Sequence, residues 1–147
     1  MQLIHLKAAF DGCPEAVMAT ADRLKQDLFG EAPLSSVLLV EISGDIIGFA
    51  TYHSIYSTFL AKPGLWLDDL FLKPQFRGQG IGTQLMQRLC EIAIETGCER
   101  IDWTVAVGNN LGIQFYEKIG ATIQQEVRLC RLHRKAIERH TKFALLP

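Results

Sequence analysis

The stretch Arg77-Gly78-Gln79-Gly80-Ile81-Gly82 (RGQGIG) decides how this chain is read. It lies between an apolar run ending at Leu72 and a segment, Gly80 to Glu95, with apolar residues at Ile81, Leu85, Leu89 and Ile92 and with Met86 and Ala93 beside them. That is the spacing of one face of a helix. Glycine costs stability at a helix start, so its repeated use there implies a close approach to the main chain. A helix N-terminus presents free N–H groups and the positive end of the macrodipole, and so binds phosphate. Three phosphate-binding loops compete for the hexapeptide. A Walker A loop ends in Gly-Lys-Ser/Thr, but Gly82-Thr83 has no lysine before the threonine. A dinucleotide-binding loop is GxGxxG after the first strand of a βαβ unit, whereas the spacing here is GxGxG, midway along the chain. The pattern R-x-x-G-x-G/A fits at Arg77, Gly80 and Gly82. A glycine-rich helix start without a ligand is the remaining alternative.

Outward from the hexapeptide, Leu65 to Leu72 reads as a largely apolar strand carrying two carboxylates, Asp68 and Asp69. Val37 to Ile42 and Ile46 to Ser54 read as hairpin strands around Ser43-Gly44-Asp45, with Ser57 to Gly64 as a loop. Before them, Gln2 to Phe10 reads as a short helix and Pro14 to Leu28 as a second, with Gly30 as its stop. Gly97 ends the central helix. Arg100 to Val107 reads as a strand and Leu111 to Ile119 as a helix closed by Gly120. Ala121 to Gln125 and Val127 to His133 read as two more strands, followed by a short polar helix. A hairpin and then strand–helix–strand–helix predicts an α/β (α+β) fold, one mixed sheet with helices on its faces. Asn109 and Tyr116 are seven residues apart, two helical turns, and face the same way. Two adjacent parallel strands, each feeding a helix, would put both helix starts at one end of the sheet, where ligands bind.

The chain has 147 residues, which predicts one domain over 1–147. Its net charge of −1 gives no general pull towards nucleic acid or membrane. From Arg128 to Lys142 there are six basic residues and one acid, Glu138, which reads as a solvated face or as an anion or partner contact. Cys13, Cys90, Cys98 and Cys130 have no CxxC spacing and read as buried reduced thiols of a cytoplasmic protein. The four histidines are scattered, so no metal is expected. No apolar run reaches transmembrane length, and no signal peptide opens the chain.

Three stretches together carry a resemblance: PGLWLDDLFLKPQFRGQGIGTQLM (Pro63 to Met86), WTVAVGNNLGIQFYEKIGA (Trp103 to Ala121) and RLCRLHRKAIERH (Arg128 to His140). With weaker similarity back to about Leu3, the sequence resembles a GCN5-related N-acetyltransferase (GNAT), in the diamine and thialysine, spermidine/spermine-type, branch. The resemblance implies the GNAT fold, with adjacent parallel strands splayed apart, and acetyl-CoA as cosubstrate. The amides of Arg77, Gly78, Gln79, Gly80, Ile81, Gly82 and Thr83 would hold the pyrophosphate. Backbone groups of Phe71 and Leu72 would pair with the pantetheine arm, and Asn109 would also touch the cofactor. Tyr116 matches the family's acid for the departing thiolate. Asp68 matches the position of a base acting directly or through water, where the branch has Glu. Asp69, Tyr56 and Phe59 would serve the acceptor. Adjacent strand residues point to opposite faces, so Asp68 and Asp69 can share one site only if a bulge bends the strand.

Two departures shape the expectation. Ser57 and Phe59 stand where the polyamine branch carries an acidic residue and a tryptophan, which favours a shorter amine. Family members also begin with a strand and a full first helix, whereas this chain begins at what resembles the middle of that helix. Either the start lies downstream of the true one or the loss is tolerated. Absence of that strand would leave Val37 to Ile42 as an open edge and invite a homodimer. The expected activity is acetyl transfer from acetyl-CoA to a primary amine of a small cationic acceptor, by direct attack in a ternary complex. A non-catalytic acyl-CoA-binding module or sensor is the alternative, and a dinucleotide-binding protein fits the glycine spacing poorly.

Overall fold

Ser43 and Gly44 both have positive φ, 52° and 86°, the geometry of a two-residue hairpin turn that matches strand twist. They join β1 (Ser36–Ile42) to β2 (Asp45–Ser57) in antiparallel register. The next turn, residues 58–61, returns the chain as β3 (Lys62–Leu72), antiparallel to β2. After the central helix, β4 (Ile101–Trp103) pairs parallel to β3, giving a mixed sheet in the order β1-β2-β3-β4. The structure is a computed structural model and describes residues 1–141. It divides into two compact units, Met1–Ala106 and Val107–Pro147.

The first unit holds α1 (Gln2–Phe10), α2 (Ala21–Phe29), the sheet and α3 (Ile81–Glu95). Leu85, Met86, Leu89 and Ala93 of α3 are buried, as the 3.6-residue period requires, and α3 packs on β3. Ile47, Phe49, Ala50, Leu65, Leu67, Phe71 and Leu72 supply the sheet's part of the core. Each buried Leu or Phe contributes about 2 kcal/mol by leaving water. The second unit holds α4 (Asn110–Lys118) and α5 (Arg134–His140).

Several expectations are corrected. The second helix does not run from Pro14: a single 3₁₀ turn, Pro14–Ala16, is followed by extended backbone, and Thr20 caps α2 by accepting the Arg23 N–H at 3.3 Å. The threonine hydroxyl favours a cap over a helix interior. The loop at Ser57 to Gly64 shrinks to four residues because Ser57 lies in β2 and Lys62, Pro63 and Gly64 lie in β3. Proline is tolerated at a strand's start, and a Cβ on Gly64 would sit 3.2 Å from the Arg100 carbonyl. The strand expected over Arg100 to Val107 is only three residues long, and Ala121 to Gln125 and Val127 to His133 form no strand. Alternating apolar residues make a strand only where a partner edge accepts their main-chain bonds. The cysteines are free but not buried: Cys13, Cys90 and Cys130 are exposed and Cys98 half-buried, Cys90 falling beside the buried stripe of α3.

Candidate active site

The register between β2 and β3 slips by one residue. Thr51 faces Asp69 and Tyr52 faces Leu67, so Asp68 is an extra, bulged residue. The Thr51 hydroxyl donates to Asp69 Oδ2 at 3.3 Å, and His53 Nδ1 lies 2.8 Å from Asp68 Oδ2. Thr51 and His53 are two residues apart on β2 and project from one face. Both carboxylates therefore lie on that face, meeting the condition that a shared site requires. The ammonium of Lys7, on α1, is 3.4 Å from Asp69 Oδ1 and also pairs with Asp11. Partial burial by itself would lower the Lys7 pKa, but the hydrogen bonds and charges of Asp11 and Asp69 outweigh it and raise the pKa above 10.5. Asp69 thus has a resident cation. The side chains of Asp68 and Asp69 are 39% and 40% exposed, open to a charged ligand from solvent.

Gly80 is the N-cap of α3 with φ 82°, and Gly78 has φ 73°. A Cβ at either would meet nothing within 4 Å, so the dihedral requires glycine and the space before it is open. The helix has no side-chain cap and no acid in its first turn. Its first intrahelical bond runs from Gln84 N–H to the Gly80 carbonyl, which leaves the N–H groups of Gly80, Ile81, Gly82 and Thr83 turned outward. Arg77 fixes the loop to the sheet. Its Nε–H donates to the Leu72 carbonyl at 2.9 Å, and its guanidinium lies 4.4 Å over Phe10 and 5.5 Å from Phe71. Gln79 donates from its side chain to the Gln75 carbonyl at 3.0 Å.

Between these two groups the sheet opens. β3 and β4 pair only at Leu65↔Ile101, Trp66↔Asp102 and Leu67↔Trp103, while β3 continues to Leu72. The Lys73 N–H bonds the Ile47 carbonyl of β2, and the Phe71 carbonyl lies 2.6 Å from where a Gly48 Cβ would be. Main-chain groups alternate sides along a strand. Leu72, and by the same alternation Leu70, therefore turns its main chain to the open edge, whereas Phe71 turns its own to β2. Leu70 is a residue the sequence reading passed over. Tyr56 faces Pro63 in an unbroken register, which puts it on the face opposite His53, and Phe59 is fully exposed at the hairpin tip. The structure does not bring either to the carboxylates.

In the second unit Asn109 caps α4, its side-chain oxygen accepting the Gly112 N–H at 3.0 Å. Tyr116 lies two turns on, its ring 5.2 Å from that of Phe115, and burial pushes its phenol pKa above 10. Among the described residues, no group of three or more His, Cys, Asp or Glu could hold a metal, and no helix is long and apolar enough to cross a membrane. His53 and Lys7 went unnoticed in the sequence. A lone strand histidine and a helix lysine carry no motif, and their partners lie 15 and 62 residues away.

A parallel strand pair that parts beside an open, glycine-capped helix start fits the architecture of an acyltransferase. The Acetyltransferase (GNAT) family model matches residues 4–121, and the chain belongs to that family of enzymes. It is 32% identical over 129 residues to a thialysine N-epsilon-acetyltransferase of Mus musculus, covering 82% of this chain and 75% of the relative. It is 34% identical over 116 residues to the L-ornithine N5-acetyltransferase NATA1 of Arabidopsis thaliana, covering 78% of this chain and 51% of that protein. Among solved structures, the integron cassette protein VCH_CASS6 from V. cholerae superposes with TM-score 0.78 at 29% identity, covering 96% of this chain and 88% of that one. An aminoglycoside acetyltransferase, meta-AAC0020, from an uncultured soil metagenomic sample shares the fold with TM-score 0.76 at 20% identity, covering 90% and 86%.

Proposed function

We propose that this protein transfers the acetyl group of acetyl-CoA to a primary amine of a small cationic acceptor, a diamine, a polyamine or a lysine-like amine. The observation that carries the reading is the opening of the sheet beyond Leu67 next to the unsatisfied amides of Gly80 to Thr83. A diphosphate fits the amides, and the main chain of Leu70 and Leu72 suits an extended amide-bearing arm. Asp68 and Asp69, on one face through the bulge, attract the cation, and Asp68 lies on the path of the departing proton, directly or across a water. Tyr116 protonates the leaving thiolate, and Asn109 contacts the cofactor. These two assignments rest on the family match and on a phenol that burial keeps protonated.

The relatives named for thialysine and ornithine acetylation support a lysine-like amine, and one named as spermidine/spermine acetyltransferase-like keeps the polyamine among the acceptors. We also place the enzyme in the cytoplasm, as one acetyltransferase domain working as a homodimer. Four free cysteines fit a reducing compartment, and one family model matches residues 4–121. Thiol release measured across lysine, thialysine, ornithine, putrescine, spermidine and an aminoglycoside tests the activity. Turnover with at least one short amine is expected. Acetyl-CoA binding without thiol release from any of them would leave a non-catalytic binding module. Stabilisation by NAD or ATP but not acetyl-CoA would overturn the cofactor assignment.

A further inference from the structure

His53 is absent from the roles above, yet it makes the shortest polar contact to Asp68, Nδ1 to Oδ2 at 2.8 Å. Its other ring nitrogen, Nε2, has no protein partner among the described residues, and the side chain is 39% exposed. A carboxylate on one imidazole nitrogen fixes the tautomer and leaves the lone pair on the other. We propose that Nε2 of His53 is the atom that takes the proton of the acceptor ammonium, and that Asp68, instead of receiving that proton directly or across a water, orients the ring. This rests on the acetyltransferase reading and names its base. A lone carboxylate is a weak base for an ammonium, whereas an imidazole is matched to proton transfer near neutral pH.

The step balances. One ammonium proton passes to Nε2 and then to solvent. The freed amine lone pair attacks the thioester carbonyl, the C–S bond breaks, and the second nitrogen proton leaves with sulphur as the thiol. The pair is not isolated. Asp69 of β3 and Lys7 and Asp11 of α1 lie on its face, and the register puts Asp102, itself paired with Arg100, on that face beyond Trp66. These groups set the local field but do not contact the Nδ1–Oδ2 bond.

The test is the pH dependence of turnover at saturating acetyl-CoA, from pH 4.5 to 9, on the best amine. An imidazole acceptor gives the wild-type rate an acid limb that a variant lacking the imidazole does not share. His53→Gln, which retains a donor for Asp68, is expected to lose about 100-fold in kcat together with that acid limb, with KM for acetyl-CoA within about twofold. His53→Ala is expected to recover at least about tenfold with free imidazole, which a merely structural role would not show. A His53→Gln enzyme with wild-type kcat and pH profile overturns the role of His53 while leaving the acetyltransferase reading intact. A wild type that acetylates no amine overturns both.

Discussion

Tyr116 carries a phenol whose pKa burial raises above 10, and the amine of Lys7 is raised above 10.5. In both, the folded state holds its proton more tightly than the unfolded chain does. Their contributions to stability are therefore fully present below about pH 10 and are lost as pH climbs above it. Urea midpoints measured against pH should be level in this respect through neutrality and fall on the alkaline side. For catalysis, Tyr116→Phe should lower kcat by about 100-fold and leave acetyl-CoA affinity within about twofold. Equal losses in both would remove the tyrosine from thiolate protonation. Lys7→Met should cost about 1 kcal/mol through the lost partly buried pairs and should lower the KM of the cationic acceptor, because Asp69 is then released to it. A raised KM would mean that Lys7 helps to build the acceptor site. Asp68 and Asp69 stood out as two carboxylates in an apolar strand, and the family resemblance made them site candidates. Their common face depended on a bulge that no local pattern announces.

The element that organises the site is the start of α3. Its two αL glycines hold four amides outward, and the Arg77 side chain clamps the loop to the end of β3. Gly80→Ala introduces no clash, so its fold cost should be that of a strained dihedral, about 1 kcal/mol. Acetyl-CoA affinity should fall by at least about tenfold, because that strain is relieved by turning the amides away from the anion. Calorimetric titration checks the second figure and chemical denaturation the first; unchanged affinity would mean that the diphosphate does not sit there. The periodicity of α3, the turn at Ser43-Gly44 and the glycine stops were legible because each is a local rule. The expected strands after Gly120 were not, because strand pairing is a long-range property.

Over the whole chain, the sheet ends at β1, whose outer edge has no strand beside it among the described residues and which exposes Leu39 and Ile42 at 55% and 42%. An apolar edge of this kind pairs with another chain unless it is covered. Native mass measurement at micromolar concentration should return a dimer, and a monomer alone would set that expectation aside.

Local chemistry, written in the order of residues, was enough for the central helix, the turn at Ser43-Gly44 and the family resemblance over nearly the full chain, and it singled out RGQGIG as a candidate phosphate-binding loop. Folding in three dimensions settled where β3 leaves β4, which main-chain groups face the gap, that Asp68 bulges onto the face of Asp69, and that a histidine fifteen residues away meets it. The difference is one of range. A turn or a cap depends on neighbours a few residues away, whereas a strand register is set by partners far along the chain, and a slip of one residue there changes which side chains meet.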